Sequence, residues 1–161
     1  MVQAVANVTA VIGCGNPNRS DDGVGFDVIR RLAPRAGPRL VLLDAGSDGM
    51  AAMFGARGCV SLIIVDACTT GGEPGGTFEL PAHALAVSQP PSFTRHEFRW
   101  DHALYAGRRM FGAAFPTDVT VLLIEVRSVA LGPGRSNEVN AAAAKAVTRI
   151  EQLLAQRGAC S

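Results

Sequence analysis

Short runs of aliphatic and β-branched residues alternate along this chain with segments in which apolar residues recur at helical spacing. The short runs predict strands over 8–12, 40–43, 60–65, 77–80 and 119–126. The helical spacing predicts helices over 21–32, 49–56, 96–111 and 137–154. Ser20 is expected to cap the first helix, and Pro34 to stop it. Residues 81–94, which contain three prolines, are expected to be mostly loop.

This alternation predicts an α/β fold, a single-domain three-layer sandwich of the phosphorylase/hydrolase-like kind. A twisted, largely parallel five-stranded sheet would lie between helices on both of its faces. Since the 161 residues contain no repeat and no linker, residues 1–161 are expected to form one domain. Ligands of such sheets bind beyond the carboxyl ends of the strands. Polar and charged residues that could form a site follow three of these strand ends, in residues 13–22, 66–76 and 125–127.

Composition narrows the class of protein. Hydrophobic residues make up 48% of the chain and charged residues 18%, which excludes a disordered or strongly solvated segment. A net charge of +1 gives no field that favours nucleic acid or an anionic membrane, and no stretch is apolar enough to span a bilayer. The four cysteines show no C-x-x-C pairing, and no basic segment precedes Arg19. We therefore expect a reduced, cytoplasmic protein.

A glycine-rich loop, residues 13–25, joins the first strand to the first helix. It differs from a dinucleotide-binding loop because Asn18 stands where the third glycine belongs. Asp21 and Asp22 would also repel a phosphate at the helix N-terminus, although they are equally compatible with a structural role at the positive end of the helix dipole. Gly23 and Gly25 would each cost about 1 kcal/mol in a helix, which indicates that something approaches the backbone there.

Two acids and one imidazole can meet if the first and third strands are neighbours. Asp22, Asp66 and His96 would then suit a borderline divalent ion with positions left open for water or substrate. An aspartic dyad of Asp22 and Asp66 is an alternative, and Cys68 is a weaker candidate nucleophile. Asp66 could equally be a turn former, and His96 a surface histidine. Asp101 and His102 stay unassigned, because His102 faces a different side of the helix from His96.

Several motifs together resemble those of the [NiFe]-hydrogenase maturation endopeptidases over nearly the whole chain. They are G-x-G-N at 13–16, D-D-G-x-G at 21–25, the stretch 43–50, the strand 62–67 with its aspartate, G-G-T at 75–77 and the later His96. The resemblance implies a cytoplasmic aspartic-type endopeptidase that removes a short C-terminal extension from the hydrogenase large-subunit precursor after nickel insertion. It also implies that Asp22, Asp66 and His96 form the catalytic, metal-contacting site, and that the precursor carries the nickel.

The chain departs from the family pattern at two places. Residues 97–102 replace the small, glycine-containing turn that often follows the histidine, and residues 132–135 lengthen the approach to the last helix. Two other functions stay open at this stage. A nickel-recognition or chaperone module would use the same three residues without hydrolysis, and a nucleotide or nucleoside enzyme would share the sheet.

Overall fold

The computed structural model describes residues 7–85 and 99–158. Its strands are β1 (Thr9–Cys14), β2 (Leu40–Gly46), β3 (Ser61–Cys68), β4 (Thr77–Pro81) and β5 (Asp118–Glu125). These five strands form one sheet in the order β2-β1-β3-β5-β4, in which β1, β2, β3 and β5 are parallel and the edge strand β4 runs antiparallel to β5. The predicted fold class, a mostly parallel five-stranded α/β sheet, is confirmed.

In residues 7–85 and 99–158, four α-helices cover the two faces of the sheet. They are α1 (Val24–Leu32), α2 (Gly49–Ala56), α3 (Trp100–Phe111) and α4 (Asn137–Gln156). Alternate residues of the central strands point to opposite faces. Val11 and Ile63 belong to the buried cluster of α1 and α4, whereas Ile12 and Ile64 belong to that of α2 and α3. Within the described part of the chain, no helix combines the length and apolar character that crossing a membrane requires.

Two predicted helix starts differ from the structure. Residues Ser20–Gly23 form a 3₁₀ turn, and α1 begins only at Val24. The prediction that Ser20 caps this helix is wrong, because its hydroxyl donates to the Ala130 carbonyl at 2.9 Å. The helix predicted to begin at residue 96 begins at Trp100 in the structure, because the backbone of Arg99 just before it is extended. His96 and most of the predicted 81–94 loop lie outside the described residues, and residues 82–85 form a 3₁₀ turn.

The close approach indicated at Gly23 and Gly25 comes from the protein itself. A Cβ atom on Gly25 would lie 2.2 Å from the Cys14 carbonyl oxygen, so α1 can cross the end of β1 only without a side chain there. A Cβ atom on Gly23 would lie 2.2 Å from the Arg135 guanidinium. These glycines therefore hold the loop after β1 tightly against the sheet.

Candidate functional site

A cavity of about 550 Å³ opens at the carboxyl ends of the parallel strands. Asp22 and Asp66, two of the three predicted site residues, both line it. Arg19 and Arg99 add positive charge to its wall. The remainder of the wall comes from the ends of the strands and the loops that follow them, namely Cys14, Gly15, residues 46–49, 67–70, Trp100, Val126 and Val129. The cavity thus occupies the edge of the sheet at which this class of fold binds ligands.

The glycine-rich loop after β1 positions Asp22. Asp22 lies in the 3₁₀ turn, and its Oδ2 atom accepts a hydrogen bond from the Asn16 backbone N–H at 2.8 Å. Gly15 has a positive φ of 108°, and its N–H donates to the Gly46 carbonyl at 2.8 Å. The Asp22 carboxylate is therefore held at the cavity wall by the loop that contains it.

Asp66 lies near the end of β3 with only 6% of its surface exposed. Its Oδ1 atom accepts from the Ala67 backbone N–H at 2.8 Å, and its Oδ2 atom accepts from the Trp100 indole N–H at 2.8 Å. The Arg99 guanidinium lies 3.5 Å from Oδ2. Burial raises the pKa of Asp66, the negative charge of Asp22 adds to this rise, and Arg99 opposes it. The carboxylates of Asp22 and Asp66 thus share one cavity and interact electrostatically.

The third predicted residue, His96, lies outside the described residues, so its role stays a prediction. Within residues 7–85 and 99–158, no group of three or more His, Cys, Asp or Glu side chains is arranged to hold a metal ion. Asp101 accepts a hydrogen bond from the His102 backbone N–H in the first turn of α3. Neither Asp101 nor His102 lines the cavity.

Asp21, the neighbour of Asp22, has a structural role. Its carboxylate is buried and accepts from the Ser136 backbone N–H at 2.6 Å, the Ser136 hydroxyl at 3.0 Å and the Arg127 backbone N–H at 3.1 Å. It thereby ties the segment between β5 and α4 to the loop after β1. The two adjacent aspartates have different partners. Residue type and spacing do not separate them, and only the motif resemblance favoured Asp22.

Glu125 organises the loop that follows β3. Its buried carboxylate accepts from the Thr70 backbone N–H at 2.9 Å, the Thr70 hydroxyl at 2.8 Å and the Gly71 backbone N–H at 3.1 Å. The bonds from Thr70 lower the pKa of Glu125. The polar end of β5 therefore shapes the cavity wall at Thr70 without lining the cavity itself.

Cys68 lines the cavity, but its environment disfavours the nucleophile hypothesis. Its thiol donates to the Glu125 carboxylate at 3.4 Å. Burial, together with this carboxylate, raises the pKa of Cys68 to about 12. Because the thiolate is the reactive form, a thiol that stays protonated at neutral pH is a poor nucleophile.

Comparison with known proteins agrees with this architecture. The family model for hydrogenase maturation proteases (HycI) matches residues 26–153. No match is found among curated proteins. The structure is similar to the hydrogenase maturating endopeptidase HybD from E. coli, with a TM-score of 0.78, 22% identity and 94% of each chain covered. It is also similar to the [NiFe] hydrogenase maturation protease HybD from Thermococcus kodakarensis, with a TM-score of 0.74, 22% identity, 91% of this chain covered and 98% of that one.

A third similar structure is the hydrogenase 2 maturation peptidase from Thaumarchaeota archaeon SCGC_AB-539-E09. It has a TM-score of 0.68 and 25% identity, and the alignment covers 91% of this chain and 97% of that one. The structural likenesses confirm the fold, and the match over residues 26–153 shows the family. The chain belongs to the hydrogenase maturation protease family and is by family a peptidase.

Proposed function

We propose that this protein is the endopeptidase that removes the C-terminal extension of a [NiFe]-hydrogenase large-subunit precursor after nickel insertion. In this proposal Asp22, Asp66 and His96 contact the nickel ion that the precursor already carries. The supporting observation is that Asp22 and Asp66, which belong to different strand ends, line one cavity. The family match supports the peptidase activity.

The chemistry of the site suits a metal that arrives with the substrate. Two carboxylates and one neutral imidazole balance the charge of a divalent ion, but such ligands bind copper more tightly than nickel in the usual order of affinities. Selection of nickel by these three residues alone would therefore fail. A nickel ion already held by the precursor removes the need for that selection, because the protease has only to recognise a filled site.

The cavity also fits the reaction. Its volume of about 550 Å³ admits an extended peptide segment with its metal, whereas a folded domain is too large to enter. In the proposed reaction the carboxylates of Asp22 and Asp66 would orient a water molecule against the scissile carbonyl carbon, and the nickel ion of the precursor would supply Lewis-acid polarisation when bound. The water oxygen bonds to this carbon, the C–N bond breaks, and one proton of the water is transferred to the leaving amine. The products are a new C-terminal carboxyl group and the released extension.

We also propose the cytoplasm as the compartment. Cys14, Cys59 and Cys68 are free thiols in the structure, and thiols persist in a reducing environment. Cys160 lies outside the described residues.

Single alanine substitutions test the site. Asp22→Ala, Asp66→Ala and His96→Ala are each expected to lower cleavage of the nickel-loaded precursor at least 100-fold, measured as the loss of the extension's mass. Asp118→Ala is the matched control, because Asp118 lies at the opposite end of β5 and its side chain is 56% exposed. Wild-type cleavage by all three variants would refute the site. A wild-type protein that binds the loaded precursor and leaves its mass unchanged would instead be a nickel-recognition or chaperone module.

A further inference from the structure

Trp100 is the sole tryptophan of the chain, and it begins α3 beside the cavity. The residue is 8% exposed and belongs to the same buried cluster as Ile64 and Leu104. A buried indole has one polar group, the Nε1–H, which needs an acceptor. In this protein the acceptor is the Oδ2 atom of Asp66, at 2.8 Å. The packing of the ring therefore fixes the direction from which Asp66 receives this bond.

The two short hydrogen bonds to Asp66 come from different elements and reach different oxygens. Ala67, in β3, donates its backbone N–H to Oδ1, and Trp100, in α3, donates to Oδ2. One short hydrogen bond to each oxygen fixes the plane of the carboxylate. Arg99 lies farther away at 3.5 Å, and its side chain is 62% exposed, so it constrains this carboxylate less than Trp100 does.

From this geometry we infer that Trp100 is a positioning residue, whose indole N–H holds the Asp66 carboxylate in its working orientation. The inference rests on the proposed function, because it assigns Trp100 a role through Asp66. The extended backbone of Arg99 and the first turn of α3 bring the indole N–H of Trp100 to this carboxylate.

Because the chain has a single tryptophan, biosynthetic replacement of tryptophan tests one N–H group. In 3-(3-benzothienyl)alanine a sulfur atom replaces the indole N–H while the ring keeps its size. We expect this analogue at position 100 to lower kcat/KM for the nickel-loaded precursor about 10- to 100-fold, the effect of losing one hydrogen bond to a charged group. 5-Fluorotryptophan, which retains the N–H, is expected to preserve most of the rate. Trp100→Phe gives a second, genetically encoded loss of the donor.

The fluorinated protein supplies a spectroscopic signature as well. Its single tryptophan ¹⁹F resonance is expected to shift in Asp66→Asn and to stay unchanged in Tyr105→Phe. Tyr105 lies on the same helix, where its ring contacts Arg109, outside the cavity. Tyr105→Phe is also expected to cleave the precursor at the wild-type rate.

The outcomes separate this inference from the proposed function. If both the benzothienyl protein and Trp100→Phe cleave at the wild-type rate while Asp66→Asn is inactive, the positioning role is overturned and the proposed function stands. If Asp66→Asn itself cleaves at the wild-type rate, Asp66 has no role in cleavage and the positioning role of Trp100 falls with it. If the wild-type protein leaves the loaded precursor uncleaved, the proposed function fails. A loss of rate in the benzothienyl protein that 5-fluorotryptophan does not share supports the inference.

Discussion

At the scale of single residues, the site is defined by which hydrogen-bond donors each acid meets. Asp22 accepts from its own loop, Asp66 from β3 and α3, and Asp21 from the segment before α4. All three are aspartates close to strand ends, and only their partners distinguish the two that line the cavity from the one that ties loops together. Residue type alone therefore identifies candidates, and the surrounding donors assign their roles.

The raised pKa of Asp66 predicts a specific pH dependence of stability. A carboxyl whose pKa is higher in the folded than in the unfolded state stabilises the fold fully below its unfolded pKa, near 3.8, and this contribution is lost as pH rises through the folded value. The amide of Asp66→Asn does not ionise, so this variant lacks the pH-dependent contribution of residue 66 to stability. We therefore expect the Tm of Asp66→Asn minus that of the wild type to become more positive from pH 4 to pH 7.

Thermal unfolding of both proteins in a metal-free buffer measures this difference. A Tm difference that is flat across the range, or that becomes more negative, would show that the fold does not disfavour the ionised form of Asp66.

At the scale of elements, two loops after different strands are tied together beside the cavity. Beyond the bonds of Asp21, the Ser20 N–H donates to the Gly132 carbonyl at 2.8 Å, and the Gly132 N–H donates to the Asn18 carbonyl at 2.9 Å. The Arg135 guanidinium donates to the Ser20 carbonyl at 2.8 Å and to the Gly23 carbonyl at 3.2 Å, and it pairs with Asp27 at 3.1 Å. Residues 132–135, which lie just before α4, thus hold the loop that contains Asp22.

Asp21→Ala tests this connection. The substitution leaves the donors of Arg127 and Ser136 without their acceptor, so we expect it to lower the free energy of unfolding by about 2–4 kcal/mol. Ser136→Ala removes only the hydroxyl bond and is expected to cost about 1 kcal/mol. Urea unfolding measures both values, and hydrogen exchange should show faster exchange at residues 127–136 in Asp21→Ala. Equal stabilities of Asp21→Ala and the wild type would contradict this role.

The crossing of α1 over β1 gives a second prediction at this scale. Gly25→Ala would place a Cβ atom 2.2 Å from the Cys14 carbonyl oxygen and 2.9 Å from that of Val65, and backbone atoms cannot move aside cheaply. We expect a loss of more than about 3 kcal/mol in the free energy of unfolding. Gly37→Ala is the control, because its Cβ would meet nothing closer than 4.0 Å, and it should change stability by less than about 0.5 kcal/mol. Similar unfolding midpoints for the two variants would refute the packing argument.

At the scale of the whole molecule, much of the fold follows from the pattern of the sequence. The parallel strands of the sheet were predictable because buried parallel strands contain continuous apolar runs, such as 62–65 in β3. The location of Asp66 followed from its place at the end of such a run. The antiparallel direction of β4 did not follow, since a five-residue edge strand carries no mark of its direction.

The residue roles that the sequence analysis did not predict have one physical reason in common. Trp100, Glu125 and Asp21 act through hydrogen bonds to partners far away in the sequence, and periodicity reports only which face of an element is buried. The helical spacing of Trp100 predicts an ordinary core residue. Its indole N–H becomes a hydrogen-bond donor to Asp66 only when β3 and α3 pack together. Long-range polar pairs of this kind require coordinates.

The dependence of cleavage on nickel tests the central claim most directly. Purified protein is incubated with the same large-subunit precursor in its nickel-loaded and nickel-free forms, and mass spectrometry follows release of the C-terminal extension. If Asp22 and Asp66 recognise a nickel ion that the substrate carries, we expect only the nickel-loaded precursor to be shortened. Shortening of both forms at the same rate would contradict the claim.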